Sequence, residues 1–215
     1  MITGTDTRVR MMAKHSKSWL QRQKRDPFVK KSHEEQYRSR AVYKLMEIDQ
    51  RDRLFHRGQT VIDLGAAPGG WSQYAATKVD GGGRVIAVDM LEMEAVAGVE
   101  FVRGDFTEEA VIEACLAALG GARADLVISD MAPNLSGVRS TDQARCMGLA
   151  EAALDFACRV LSPGGDFLVK LFQGAGTEQY RRELNERFQK VMVRKPKASR
   201  DSSREFYMLA RRYNV

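Results

Sequence analysis

TVIDLGAAPGGW, residues 60–71, joins a short apolar run to a glycine-rich turn and an aromatic residue. Val61, Ile62 and Leu64 have the character of a strand buried on both faces. Gly65, Gly69 and Gly70 permit a tight turn and a close approach of a ligand to the backbone. Residues 70–79 then read as a helix, which makes the stretch a strand–turn–helix unit. Comparable apolar runs recur at RVIAVDM (84–90), VEFVRGDF (99–106), ADLVISD (124–130) and DFLVKLF (166–172). Segments 107–119, 142–161 and 176–189 between or after them read as helices. This β-α-β-α series predicts a parallel sheet covered on both faces. Upstream, Ala41, Leu45, Ile48 and Leu54 stand at helical spacing within 40–55. Downstream, VMVRK (191–195) and EFYMLARRY (205–213) flank a polar loop and are expected to pair antiparallel at the sheet edge. The fold class is α/β: a Rossmann-like layer sandwich, mostly parallel and seven-stranded, with a C-terminal antiparallel hairpin and helices on both faces.

In open α/β sheets, ligands bind beyond the carboxyl ends of the strands. A dinucleotide turn would read GxGxxG. Here the spacing is GxxxGG with Pro68 inside it, which disfavours a dehydrogenase. The next three strands end in Asp89, Asp105 and Asp130. One such aspartate is most simply a helix cap or turn residue. Three in succession beside a glycine-rich turn favour a nucleoside-like ligand. Asp89 stands at the distance from the turn at which an acid binds ribose hydroxyls, and Asp105 could accept an adenine amine. Without a pyrophosphate motif, S-adenosylmethionine fits better than NAD.

Lys170 interrupts the apolar run of GGDFLVKLFQG (164–174). Taking its ammonium group out of water is costly unless it is paired. A position near the strand's end, at a cleft, resolves the conflict. Lys44 in the first helix and Glu205 at the start of the last strand have ordinary readings as solvated surface charges.

Charge is unevenly distributed along the 215 residues. Residues 1–40 hold 11 Lys/Arg and 4 Asp/Glu, residues 190–215 hold 8 and 2, and the middle is acidic. Basic ends suit a polyanion, although a solvated tail is the plain alternative for residues 1–30. Trp19, Phe28 and Tyr37 lie among the N-terminal cations, where they could stack on bases, but packing is the simpler role. The three cysteines lack disulfide or zinc spacing and His15, His33 and His56 are scattered, so no metal site is expected. No apolar run approaches membrane-spanning length and no signal peptide is evident. A cytoplasmic protein with no membrane partner is the expectation.

SRAVYKL, DLGAAPGGWSQY, SDMAPNLSG, FLVKLFQG and SREFY together resemble the FtsJ/RrmJ (RlmE) family of ribosomal RNA 2′-O-ribose methyltransferases, over about residues 30–215. The resemblance implies a catalytic tetrad of Lys44, Asp130, Lys170 and Glu205, with Lys170 as proton acceptor. It also implies S-adenosylmethionine contacts at Gly69, Trp71, Asp89, Asp105 and Asp130, to which the glycine turn adds Asp63, Gly65 and Gly70. The substrate implied is a uridine ribose in the A-loop of 23S rRNA within the assembled large subunit. Lys30, Lys31, Arg38, Arg40, Lys195, Lys197, Arg200 and Arg204 are the expected RNA contacts. Residues 1–30 are then a basic extension and 31–215 a single catalytic domain, expected to be monomeric. Ribose methylation of tRNA or of an mRNA cap, and a non-catalytic RNA-binding assembly factor, are the rival readings.

Overall fold

The computed structural model describes residues 26–133, 136–200 and 203–214. Its elements run α1 (Pro27–Glu34), α2 (Val42–Asp52), β1 (Thr60–Leu64), α3 (Gly70–Val79), β2 (Arg84–Asp89), β3 (Val99–Arg103), α4 (Glu109–Leu119) and β4 (Ala124–Ser129). They continue with α5 (Arg139–Val160), β5 (Leu161–Phe172), α6 (Thr177–Arg187), β6 (Phe188–Arg194) and β7 (Glu205–Tyr213). The seven strands form one sheet in the order β3-β2-β1-β4-β5-β7-β6. Neighbours from β3 through β5 pair parallel, while β7 runs antiparallel to both β5 and β6. This is the expected mixed sheet, with one refinement. The last strand inserts beside β5, which leaves β6 at the edge. No helix among the described residues is long and apolar enough to cross a membrane.

Strict alternation along the central strands divides the interior into two cores, because successive side chains of a strand point to opposite faces. Ile62, Val127, Phe167, Val169 and Leu171 pack with α4, α5 and α6. Val61, Leu126, Ile128, Leu168, Tyr207 and Leu209 pack with α2 and α3. Sheet and helices therefore bury apolar side chains on both sides, and the polar residues within these strands need a specific partner.

Two elements differ from the sequence expectation. β5 starts at Leu161 rather than at 166, and its register with β4 shifts between the pairs Ala124–Leu161 and Leu126–Asp166. The Gly164–Gly165 pair, left between the expected helix 142–161 and strand 166–172, is absorbed here as an irregularity, with Gly164 at φ +82. α1 was not expected at all. Asp26 caps it by accepting the Phe28 N–H at 3.0 Å, and Pro27 supplies a first-turn residue with φ already fixed. The helix crosses the boundary expected at residue 30, so residues 26–30 pack on the domain. Phe28 and Tyr37 lie against Tyr43, with centroids 5.4 and 6.3 Å away, which is the packing role. Trp19 and the other expectations for residues 1–25 lie outside the described residues.

Asp63, on β1, is the most deeply buried carboxylate of the central strands. It is 1% exposed, and its Oδ2 accepts the Ser72 hydroxyl of α3 at 2.6 Å. Burial pushes its pKa up to about 7; the Ser72 hydrogen bond opposes the shift, and the charges of Asp130 and Asp89 reinforce it. An unfolded aspartic acid titrates near 3.9. Between those values the folded chain keeps a proton that the unfolded chain has lost. The stability from this residue is complete below about pH 4, declines as pH rises, and levels off above about pH 7. Asp63→Asn should remove that dependence. The wild-type minus variant unfolding free energy, measured by urea titration, should fall by on the order of 4 kcal/mol across the window. A difference constant with pH would refute the protonated state.

Candidate active site

Lys170 stands two residues before the end of β5, on the same face as Leu168, which belongs to the α2–α3 core. The antiparallel register sets Lys170 opposite Tyr207 and Phe172 opposite Glu205. Glu205 and Tyr207, two apart on β7, share that face. Asp130 follows the last residue of β4, and Lys44 descends from the first turn of α2. The carboxyl ends of β4 and β5, the start of the antiparallel β7 and the N-terminal turn of α2 thus converge.

At the convergence Lys170 Nζ lies 3.0 Å from Asp130 Oδ1 and also donates to the Asp130 carbonyl. Lys44 Nζ lies 2.8 Å from Glu205 Oε1 and 3.8 Å from Asp130 Oδ1. The Tyr207 hydroxyl donates to Asp130 Oδ1 at 2.6 Å. The two lysine side chains are only 8% and 7% exposed. Two cations and two anions neutralise one another in a site largely shielded from water, the condition under which charges can be buried. Burial alone would raise the Glu205 pKa. The charge and hydrogen bond of Lys44, the adjacent Ser199 hydroxyl and the charge of Lys170 together hold it below the ordinary value. Tyr207 is pushed well above its ordinary value by burial and by the charges of Asp130 and Glu205, so it remains a donor.

Beside this cluster opens a cleft of about 730 Å³ at the carboxyl ends of β1, β2 and β4, lined by Gly65, Asp89, Asp105 and Asp130 among others. Asp89 accepts the N–H groups of Ala67 and Leu91, which fixes its carboxylate against the glycine turn. Asp105 receives the Thr107 N–H and hydroxyl on Oδ1 alone. Phe106, Met131, Leu149 and Ala152 supply the apolar wall. Gly65 must be glycine: its φ is +71, and a Cβ there would stand 2.2 Å from Met131 Cγ.

The remaining expected cofactor residues lie behind the cleft. Asp63 faces Ser72; Gly69 and Gly70 make the turn into α3, with Gly69 at φ +106. Trp71 is buried, donates Nε1–H to the Ala41 carbonyl at 2.9 Å, and leans on Tyr207 with centroids 5.8 Å apart. They support the site from within the fold.

Several expected RNA contacts have structural partners. Arg38 donates to the carbonyls of Pro68, Glu94 and Ala95, clamping the glycine turn to the segment after β2. Arg40 is mostly buried, pairs with Asp26 at 3.0 Å and donates to the Ala198 carbonyl. Arg200 reaches the same Asp26 at 3.7 Å, and Lys31 pairs with Glu35 at 3.6 Å. Lys195 donates to the carbonyls of Ser203 and Glu205. Lys30, Lys197 and Arg204 are exposed, and no side-chain hydrogen bond or ion pair holds them among the described residues.

Tyr207 and Met131 were not singled out by the sequence reading. Tyr207 had a usable signal, since it stands two residues after Glu205 in a strand and so shares its face. Met131 had none, because its contact with Gly65 joins different strands.

The FtsJ-like methyltransferase family model matches residues 37–213. The chain is 56% identical over 199 residues to the ribosomal RNA large subunit methyltransferase E of Pseudomonas aeruginosa, covering 93% of this chain and 96% of the relative. Its identity to the protein of that name from Alkalilimnicola ehrlichii is also 56%, over 200 residues with the same coverage. A Plasmodium falciparum structure described as a ribosomal RNA methyltransferase superposes with a TM-score of 0.76 at 26% identity, covering 82% of this chain and 98% of that one. With its lysine–carboxylate cluster joined through Asp130 to a strand-end cleft, and with a family match running from before α2 to the end of β7, the chain belongs to the FtsJ-like methyltransferases.

Proposed function

We propose that the chain transfers a methyl group from S-adenosylmethionine to a ribose 2′-oxygen of large-subunit ribosomal RNA, on a uridine of the A-loop in the assembled subunit. The observation that carries the chemistry is Lys170 Nζ held by the carboxylate and carbonyl of Asp130, a residue that itself lines the cleft. The names of the relatives support the RNA class.

The cleft fits S-adenosylmethionine on its own evidence. Asp89 and Asp105 retain acceptor capacity for ribose hydroxyls and a ring amine, and the apolar wall suits an adenine face. When bound, the donor supplies an electrophilic methyl group on a sulfonium. Every other part of the task falls to side chains. Lys170 Nζ, once its ammonium has released a proton to solvent, takes the proton of the 2′-hydroxyl while the oxygen forms its bond to the methyl carbon and the bond from that carbon to sulfur breaks. Asp130 holds Lys170 in place and then stabilises the ammonium that forms. Lys44 and Glu205, paired at 2.8 Å, position the ribose. Tyr207 fixes the Asp130 carboxylate through its hydroxyl. Attack of an oxyanion-like oxygen on a sulfonium cancels charge, so a site sheltered from water favours it.

The direct test is transfer of a labelled methyl group to large subunits, free rRNA and tRNA, with the modified nucleotide mapped. Incorporation at one A-loop uridine of the subunit is expected; incorporation only into tRNA would overturn the substrate assignment. Lys170→Ala should lose about 10²–10⁴-fold in kcat, the range of general-base catalysis, and leave donor binding intact by calorimetry. Lys170→Arg separates proton acceptance from simple charge. A guanidinium cannot release its proton at usable pH, so an active arginine variant would leave Lys170 only an electrostatic role.

Tyr207→Phe deletes a hydrogen bond to a charged acceptor, worth about 1.5–3 kcal/mol. It should lower kcat roughly 10–100-fold with KM for RNA nearly unchanged, and it should shift the pH–rate profile. A rise in KM alone, with kcat and profile unchanged, would place Tyr207 in substrate binding instead.

A further inference from the structure

A second cleft, of about 800 Å³, opens at the end of the sheet opposite Lys170. Its walls come from the end of α2, the Ser162–Asp166 segment of β5, the start of β6 and the end of β7. Its cations are Arg51, Arg53, Lys190, Arg211 and Arg212. Its acids are Asp52, Asp125 and Asp166, and each is already engaged. Arg194 grips Asp52 with two 2.6 Å hydrogen bonds. Asp166 accepts from Arg211 Nε and the Arg212 N–H, both at 2.9 Å. Asp125 accepts the Thr60 N–H at 2.8 Å. Arg51, Arg53, Lys190 and Arg212 are exposed, and no side-chain hydrogen bond or ion pair holds them among the described residues.

The backbone adds an independent observation. Among the described residues only three non-glycine residues adopt positive φ, and two of them line this cleft: Arg53 at 52° and Arg212 at 61°. That region favours glycine or asparagine. Arginine at both positions, the cap after α2 and a residue inside β7, puts a cation where a cheaper residue would satisfy the backbone.

We propose that this cleft is a second docking site for the substrate RNA, holding its phosphodiester backbone while the target nucleotide occupies the Lys170 site. The inference rests on the proposed RNA substrate. Along β5 the two sites lie roughly 20 Å apart at about 3.3 Å per residue. At a stacked rise of about 3.4 Å per nucleotide, a stacked substrate strand reaching both sites would extend about six nucleotides beyond the target. Four unpaired cations match a polyanion and leave base identity unread.

The test is a salt titration of affinity for a large-subunit rRNA fragment and for the intact subunit. The variant carries Arg51→Gln, Arg53→Asn, Lys190→Gln and Arg212→Asn. Binding should weaken at least tenfold near 0.1 M salt, and the slope of log K against log salt should flatten by about 0.7 for each phosphate that the variant no longer neutralises. Donor binding should not change. Arg51→Glu with Lys190→Glu, both on ordinary backbone, repeats the test without touching the positive-φ positions. Wild-type affinity and slope in both folded variants, alongside normal methylation by the wild type, would overturn the cleft alone. A wild type that neither binds nor methylates rRNA would overturn the cleft and the substrate assignment together.

Discussion

The Asp130 carboxylate is the contact on which the arrangement depends. One oxygen accepts the Tyr207 hydroxyl at 2.6 Å and faces Lys170 Nζ at 3.0 Å and Lys44 Nζ at 3.8 Å. Each partner comes from a different element: β7, β5 and α2. A buried charge that loses its counter-charge is strongly destabilising, while the intact group comes close to balance. The cluster therefore adds little net stability but penalises any packing that separates these elements. The antiparallel entry of β7 is what makes the convergence possible. A parallel seventh strand would bring Glu205 and Tyr207 to the opposite end of the sheet.

The layer order and the sheet were legible because their signals are local and periodic. Val61 and Ile62, or Leu168 and Val169, announce two buried faces by their spacing alone. The carboxyl-end aspartates were legible for the same reason, since a strand end is a local feature. Lys170 was conspicuous as a charge with no apolar excuse. What stayed hidden was set by distant partners. That the strand begins ahead of the Gly164–Gly165 pair shows only when β4 is laid beside it. Helix α1 is short, and the aromatic packing on Tyr43 comes from another element.

Charge counts along the chain do not show which individual cations the fold itself engages, for a related reason. Arg38 and Arg40 fall in a basic stretch, yet they hold backbone carbonyls around the glycine turn and the β6–β7 loop. A guanidinium with five donors is as well suited to bracing carbonyls as to binding phosphate. Composition cannot distinguish the two uses. The distinction comes from whether acceptors of the chain itself lie within reach. By that criterion the unengaged cations among the described residues include Lys30, Lys197 and Arg204 and the four around the second cleft, and also Arg139, Arg181 and Arg182.

Asp63 and Asp130 show how similar acids on one side of the sheet acquire different surroundings. Both meet a hydroxyl at 2.6 Å, Ser72 for one and Tyr207 for the other. Asp130 also has two ammonium groups within 4 Å, whereas Asp63 has none in ion-pair range and feels the charges of Asp130 and Asp89 instead. Burial then drives Asp63 toward the protonated form, and in that form it places no second anion behind the cleft. An ionised Asp63 would add negative charge that Asp130 and Asp89 oppose. Below about pH 7 the deeper acid is mostly neutral, and the two lysines are left to pair with Asp130 and Glu205.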